Sequence, residues 1–435
     1  MMVEQLRKNS LPRQFFAPPR LPPGVLPRPG QLSRFAGVFG LAIALALGAT
    51  PLALAQALRP EIRFPFLADP LQDDPLDPLL LPRPPVPRPL SPLELYALEQ
   101  ALDQLALEAV ALDAAGNLEA ARLLWRREIR LRRLLGVGAE LAAIDRVGQV
   151  LRDRNATPDL QLYALRLDEI RTDLTLPDDS DRLEGMATTY EVLGAVDAAA
   201  EIRRDLADAA RLGGNGAEQR RQLDALAALR ANWFYFPEAA GVYGELGLLA
   251  QADGDLDSEM RYLGLQAENL EQAQELVGAI ALQQRLLILY QSDESRWPQI
   301  APLQHRVAHN YRTLGNVETA ARQYQAAYTN AIDQEQFEVA ANAIDDLAAI
   351  YKTLGRWADV GYLYEQLLVV QRQAHSAYGM MAAYDQLGQV HEQLGATASA
   401  LAAYREGLVL ARVLGTQQTY FEEQIARLTE EASGW

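Results

Sequence analysis

Apolar residues recur along this chain at helical spacing, and small ones alternate with bulky ones. From Val317 the order is Val317-Glu-Thr-Ala320-Ala321-Arg-Gln-Tyr324-Gln-Ala-Ala327-Tyr328. Ala320, Tyr324 and Tyr328 form an i, i+4, i+8 stripe, in which small residues let a second helix approach and rings fill the seam. Just before it stands Tyr311-Arg-Thr-Leu-Gly315, which returns as Tyr351-Lys-Thr-Leu-Gly355 and His391-Glu-Gln-Leu-Gly395, a step of 40 residues each time. The Leu-Gly pair predicts a helix end, because glycine takes the left-handed closing conformation without steric cost. A constant step of this size marks stacked repeats, each touching its neighbours.

Helix breakers carry the register backward. Leu193-Gly194, Asn155-Ala-Thr-Pro158 and Ala115-Gly116-Asn117 fall near earlier turns. Half a repeat later come Leu135-Gly136, Thr175-Leu-Pro177, Gly213-Gly-Asn-Gly216, Asp253-Gly254-Asp255 and Leu414-Gly415. Alternating breakers predict an all-α fold of helix hairpins, an α-solenoid of about eight antiparallel pairs. First helices are predicted near 93–115, 138–153, 180–194, 217–231, 256–272, 298–314, 337–354 and 377–394. Second helices are predicted near 117–135, 158–174, 196–212, 237–252, 275–291, 317–333, 357–373 and 397–414, with a C-terminal capping helix at 416–431. The array as a whole occupies 93–435.

The first 92 residues are different material. Within 1–55, six basic residues face the single acid Glu4, and an uncharged run from Phe35 ends in Pro51-Leu-Ala53-Leu-Ala55. That order reads as a secretory signal peptide cleaved after Ala55. The rival reading is an uncleaved anchor, since 35–55 is 21 uncharged residues, enough to span a bilayer. Pro51 and the small residues at the end favour cleavage. Either way the array is expected outside the cytoplasm, in a periplasm or cell envelope, or a thylakoid lumen if the source is photosynthetic. Residues 56–92 hold 11 prolines in 37 positions, which predicts an extended Pro-rich linker without helix.

The repeat signature resembles the tetratricopeptide family. In the seventh pair Leu347-Ala348, Tyr351, Leu354-Gly355, Trp357, Val360, Tyr364 and Leu367 fall at that family's positions. The sixth pair matches through Val307-Ala308, Tyr311, Gly315, Ala320 and Tyr324, and the eighth through Leu387-Gly388, His391, Gly395, Ala400 and Tyr404. Pairs two, four and five match poorly. The family's unit is about 34 residues, so a step of 40 implies longer helices. The resemblance implies a right-handed superhelix whose first helices line a concave groove for an extended or helical peptide. Applied to pairs six to eight, it points to His305, His309, Arg312, Asn342, Asp345, Lys352, Asp385, Gln389 and Glu392 as partner-binding positions. Taken singly, each also fits a plain solvated helix face. The family's clamp for chaperone carboxylates is not supported, because Arg312, Asn342 and Lys352 are scattered over two pairs.

Chemistry narrows the function further. With no cysteine, disulfides, thiol catalysis and thiolate metal sites are excluded. His305 and His309 have the i, i+4 spacing of metal ligands but lack the accompanying Glu, so no metal is assigned. Gly213-Gly-Asn-Gly216 follows a helix and lacks the Lys-Ser/Thr of a phosphate loop. No catalytic residue and no cofactor is expected. From Leu93 onward 30 basic residues face 51 acidic ones, which repels nucleic acid and anionic lipid. Membrane contact is left to an uncleaved 35–55 segment, and a protein or peptide is the expected partner, with oligomeric state open. Trp233-Phe-Tyr-Phe236 is expected to tuck under the adjacent hairpin, an exposed patch that docks a partner or a membrane surface being the alternative. The function expected is a non-catalytic interaction scaffold or assembly factor of the bacterial cell envelope; the alternative is a membrane-tethered structural element.

Overall fold

A computed structural model describes residues 60–72, 76–80 and 89–433. The expected leader at 1–55 and its cleavage site lie outside the described residues. Among these, the helices are α1 (Pro60–Leu67), α2 (Pro92–Ala114), α3 (Leu118–Arg132), α4 (Val137–Asp153), α5 (Thr157–Arg171), α6 (Ser180–Leu193), α7 (Val196–Leu212), α8 (Gly216–Asn232) and α9 (Phe236–Asp253). They continue with α10 (Leu256–Gln272), α11 (Leu276–Gln291), α12 (Ile300–Thr313), α13 (Val317–Asp333), α14 (Phe337–Thr353), α15 (Trp357–Gln373), α16 (Ala377–Gln393), α17 (Thr397–Leu414) and α18 (Gln418–Ser433). The fold is an all-α solenoid of helix pairs, α2/α3 through α16/α17, with α18 as the cap. Two compact units divide at Leu246/Gly247, inside α9.

The signature turns have a common mechanism. Gly315, Gly355 and Gly395 have φ of +78°, +67° and +68°. The amide one residue later donates back to the carbonyl of Tyr311, Tyr351 or His391 at 2.9, 2.9 and 2.8 Å. This six-to-one bond closes each first helix and satisfies a carbonyl the helix itself cannot. Asn316 then caps α13, its Oδ1 accepting from the Thr319 amide at 3.3 Å.

In the C-terminal unit Ala and Tyr fill the seams. Ala320, Tyr324, Ala340, Leu347, Ala348, Tyr351, Val360 and Tyr364 belong to one buried cluster. Gly388 on α16 belongs here too, since a Cβ at that position would stand 2.5 Å from the Tyr404 ring. The N-terminal unit fills seams with ions as well. Fully buried Asp159 accepts from Arg122 Nε at 2.5 Å and Arg126 Nε at 2.6 Å. Buried Glu128 is met by Arg132 and Arg146, and buried Glu140 by Arg133 and Arg166. Each carboxylate is answered by two guanidinium groups, as burial of charge requires.

The linker expectation is corrected at Pro60–Leu67, which is helical. Pro60 opens α1, where its missing N–H costs nothing, and in so short a helix Pro65 removes a single backbone bond. Packing compensates. Phe66 is buried beside Tyr163 at a centroid distance of 5.6 Å and under Arg133 at 4.9 Å. Farther along, Asp77 accepts from Arg127 at 2.7 and 2.8 Å, and Leu80 is buried against Leu98, Leu102, Leu105 and Leu131. Parts of 56–92 are thus folded onto the array.

Candidate functional site

The candidate positions at Arg312, Lys352 and Glu392 occupy one register position, 40 residues apart, near the end of α12, α14 and α16. Each reaches the next first helix, or the cap, about 34 residues on. Arg312 Nη1 donates to Asp346 Oδ1 at 2.6 Å, Lys352 Nζ to Gln386 Oε1 at 2.5 Å, and Glu392 Oε2 accepts from Arg427 Nη2 at 2.7 Å. The same kind of link starts earlier, where Arg306 Nη2 donates to Glu271 Oε2 at 2.6 Å. A polar ladder therefore joins successive first helices on one face of the C-terminal unit.

The tyrosine on the second helix beside each rung is matched to its charge. The rings of Tyr324 and Tyr364 lie 5.8 Å and 4.9 Å from the cations of Arg312 and Lys352. An aromatic face attracts a cation. Under Glu392 the contact is reversed in chemistry, and the Tyr404 hydroxyl donates to Oε1 at 2.5 Å.

His305 and His309 do not converge on a metal position. His305 Nε2 lies 2.9 Å from Asp346 Oδ2, in an alignment too poor for a hydrogen bond, and its ring stacks edge-on to Tyr324 at 5.2 Å. His309 Nδ1 is 3.2 Å from Arg312 Nη2 and accepts from it. Among the described residues no group of three His, Cys, Asp or Glu could hold a metal ion. Both histidines wall a cleft of about 350 Å³ with Glu271, Arg306, Asn310 and Thr313. Beneath it Asn310 Nδ2 donates to Glu271 Oε1 at 2.6 Å and to Gln283 Oε1 at 3.1 Å, a buried network that fixes the floor. A second cleft, of about 280 Å³, is lined by Lys352, Trp357, Gln389 and Glu392.

The position at 305, 345 and 385 also repeats, as His305, Asp345 and Asp385. Asp345 meets solvent, yet the surrounding walls withdraw water and, with the neighbouring Asp346 charge, push its carboxyl up to about 6. Burial raises Asp385 too, against hydrogen bonds from Tyr420 at 2.7 Å and Gln389 at 2.8 Å. Burial lowers the Lys352 ammonium, which Asp345 and Asp385 both oppose. For Asp346, burial raises the carboxyl, but His305 and Arg312 outweigh it and hold it below its ordinary range. Asn342 is exposed on α14, apart from Arg312 and Lys352, which serve separate rungs.

Sequence reasoning missed Glu271, Arg306, Asn310, Asp346, Gln386, Tyr420 and Arg427. Their signal was available as an acid, amide, ring or base at a step near 34, alongside the more visible step of 40. The aromatic loop is not buried as expected: Phe234 is 79% exposed at φ +65°, and Trp233 and Tyr235 stay 37% and 38% exposed although Trp233 borders Gly194 and Tyr235 lies 5.0 Å from Arg230. A larger cleft, about 540 Å³ in the N-terminal unit, is walled by Arg171, Arg204 and Arg230. Those cations are held by Glu201 and Asp205, by Glu245, and by Asp197.

No family model and no curated protein matches this chain. Among solved structures it is similar to BtubC from P. vanneervenii, at 17% identity over 51% of this chain and 90% of that one, TM-score 0.36. It is similar to aspartyl phosphate phosphatase F from Bacillus subtilis, at 13% identity over 68% and 84%, TM-score 0.36. A putative kinesin light chain from Podosopora anserina with nearly identical TPR-like repeats is 16% identical over 49% and 95%, TM-score 0.32. At these scores the repeat architecture stands on the chain's own helices and turns.

Proposed function

We propose that this chain is a non-catalytic interaction scaffold whose first-helix face, along α12, α14 and α16, receives a protein or peptide segment carrying basic side chains. The observation that carries the reading is the cluster of Asp345, Lys352 and Asp385: burial raises both carboxyls, a neighbouring acid adds to it at each (Asp346 at Asp345, Glu392 at Asp385), and a single ammonium faces both. An incoming Lys or Arg side chain relieves that burden. The ladder holds the cluster rigid, so little ordering is needed on binding. The excess of acids over the whole array draws the same class of partner. A basic leader followed by an apolar run and Ala-x-Ala supports action in the cell envelope after export.

The test is a calorimetric titration of the natively processed chain with a Lys/Arg-rich peptide and a Glu-rich peptide of equal length. The basic peptide binds, and more tightly as pH climbs through about 6, because Asp345 must be ionised to accept a cation. Joint Asp345→Asn and Asp385→Asn substitution weakens binding about tenfold or more, and added salt weakens it in the unsubstituted chain. Equal binding of the Glu-rich peptide, or indifference to the substitutions, counts against the reading. N-terminal sequencing of the same sample tests export, a start at Gln56 being expected.

A further inference from the structure

Residues 60–72 and 76–80 lie across α3 and α5 as a strap whose contacts are those of a bound peptide. Phe66 anchors it against the Tyr163 ring. Just beyond, where α1 ends, two carbonyls are captured by arginines. Leu67 O accepts from Arg133 Nη1 at 3.2 Å, and Ala68 O accepts from Arg133 Nη1 and Arg130 Nε, both at 3.3 Å. Cations suit the negative end of a helix. Asp77 then takes Arg127. Arg127, Arg130 and Arg133 stand at i, i+3 and i+6, a row along one side of α3.

The seat is firm and its occupant is not. Tyr163 is fully buried in α5, and Glu140 holds Arg133 Nε at 2.8 Å. Among the described residues of the strap only Phe66, Pro70 and Leu80 are buried, whereas α3 alone buries Ala121, Trp125, Ile129 and Leu131. A segment with so little apolar burial opens without the rest of the fold.

The strap also leaves its seat unsatisfied. The Arg133 side chain is 8% exposed, yet its Nη2 has no hydrogen-bond partner. Burial pulls the Arg133 guanidinium below its ordinary value in spite of Glu140, a carboxylate that Arg166 shares. The seat is short of an acceptor, and a buried donor left unanswered costs free energy.

We propose that the arginine row with Tyr163 is a binding site that the strap fills in cis, and that an acidic segment with an aromatic anchor, from another protein, lifts the strap and takes its place. A Glu-rich segment without an aromatic lacks the anchor and leaves the strap seated.

Hydrogen-exchange mass spectrometry of the natively processed full chain reads the lifting. Amides at 60–72 should exchange at least about tenfold faster than those at 118–171. Ala68→Asp, which sets a carboxylate beside Arg130 and Arg133, should slow them; Phe66→Ala should speed them while 118–171 stays protected. Binding is read by fluorescence anisotropy with a labelled peptide of residues 60–80 carrying Ala68→Asp. The peptide should bind the Phe66→Ala chain at least about tenfold more tightly than the unsubstituted chain, where the tethered strap competes, and adding Arg127→Gln with Arg130→Gln should undo that gain. Protection at 60–72 equal to that at 118–171, loss of protection at 118–171 in Phe66→Ala, equal binding to the two chains, or binding indifferent to the arginine substitutions overturns the proposal.

Discussion

The hairpins at 118–171 and those at 300–414 reach the same antiparallel packing by different means. In the C-terminal unit the seam is Ala against Tyr, interchangeable from repeat to repeat, so Tyr324, Tyr364 and Tyr404 recur in register. In the N-terminal unit the apolar seam also holds particular ion groups. Asp159, Glu128 and Glu140 each need two arginines at chosen places, and those places suit one hairpin only. Apolar packing tolerates repetition, whereas a buried ion pair individualises the repeat that holds it. This is why the resemblance to a known repeat is strong after 300 and weak before it.

The sharpest way to break the comparison is to remove one carboxylate from each region. Asp159→Ala strands Arg122 and Arg126 in the N-terminal unit and should cost about 3–5 kcal/mol in denaturant unfolding. Asp346→Ala, in the half-exposed ladder, should cost about 1 kcal/mol. Equal losses would erase the distinction.

Gly388→Ala probes the apolar seam, and should cost about 1–3 kcal/mol because the new methyl meets the Tyr404 ring. The equivalent positions, Ala308 and Ala348, already carry that methyl. There the tyrosine lies beneath a cation; at Tyr404 the hydroxyl bond to Glu392 draws the ring in. Unfolding of Gly388→Ala, with and without Tyr404→Phe, separates these contributions.

A smaller effect concerns pH. The Asp345 carboxyl sits above its ordinary 3.8 in the folded chain, so the folded state holds a proton the unfolded state has lost. Stability should therefore fall as pH rises from about 4 to about 6. Asp345→Asn should remove that slope and stabilise the free chain at pH 7 by about 1 kcal/mol, allowing for its contact with solvent. Binding of a basic partner should run the other way over the same window.

Effects of similar size lie at the turns. His375 adopts φ +53° where glycine would be unstrained, so His375→Gly should stabilise by up to about 1 kcal/mol; Gly355→Ala should cost about 1–2 kcal/mol. Thermal unfolding of the two variants reads both.

Much of the fold was legible because turn chemistry is local. Gly315, Gly355 and Gly395 announce left-handed closures, and the predicted 357–373 and 317–333 match α15 and α13 end to end. Helix α1 was not legible, because its support is Phe66 against Tyr163, about a hundred residues away, and local proline content argued the other way. Of the candidate site, Arg312, Lys352 and Glu392 were found through the step of 40, yet their partners Asp346, Gln386 and Arg427 were not. A side chain near the end of one first helix meets the next about six residues short of its own equivalent, roughly 9 Å of helical rise. Long Arg and Lys side chains, tilted toward the helix N-terminus, span that offset.

The central claim is that a basic partner lies along α12, α14 and α16. Carbodiimide coupling of a Lys-rich peptide, mapped by mass spectrometry, tests it most directly, and the chain's own lysines, Lys8 and Lys352, add few internal products. The account predicts coupling concentrated at Asp345, Asp385 and Glu392. Coupling spread instead over second-helix acids such as Glu365 and Glu406 would contradict it.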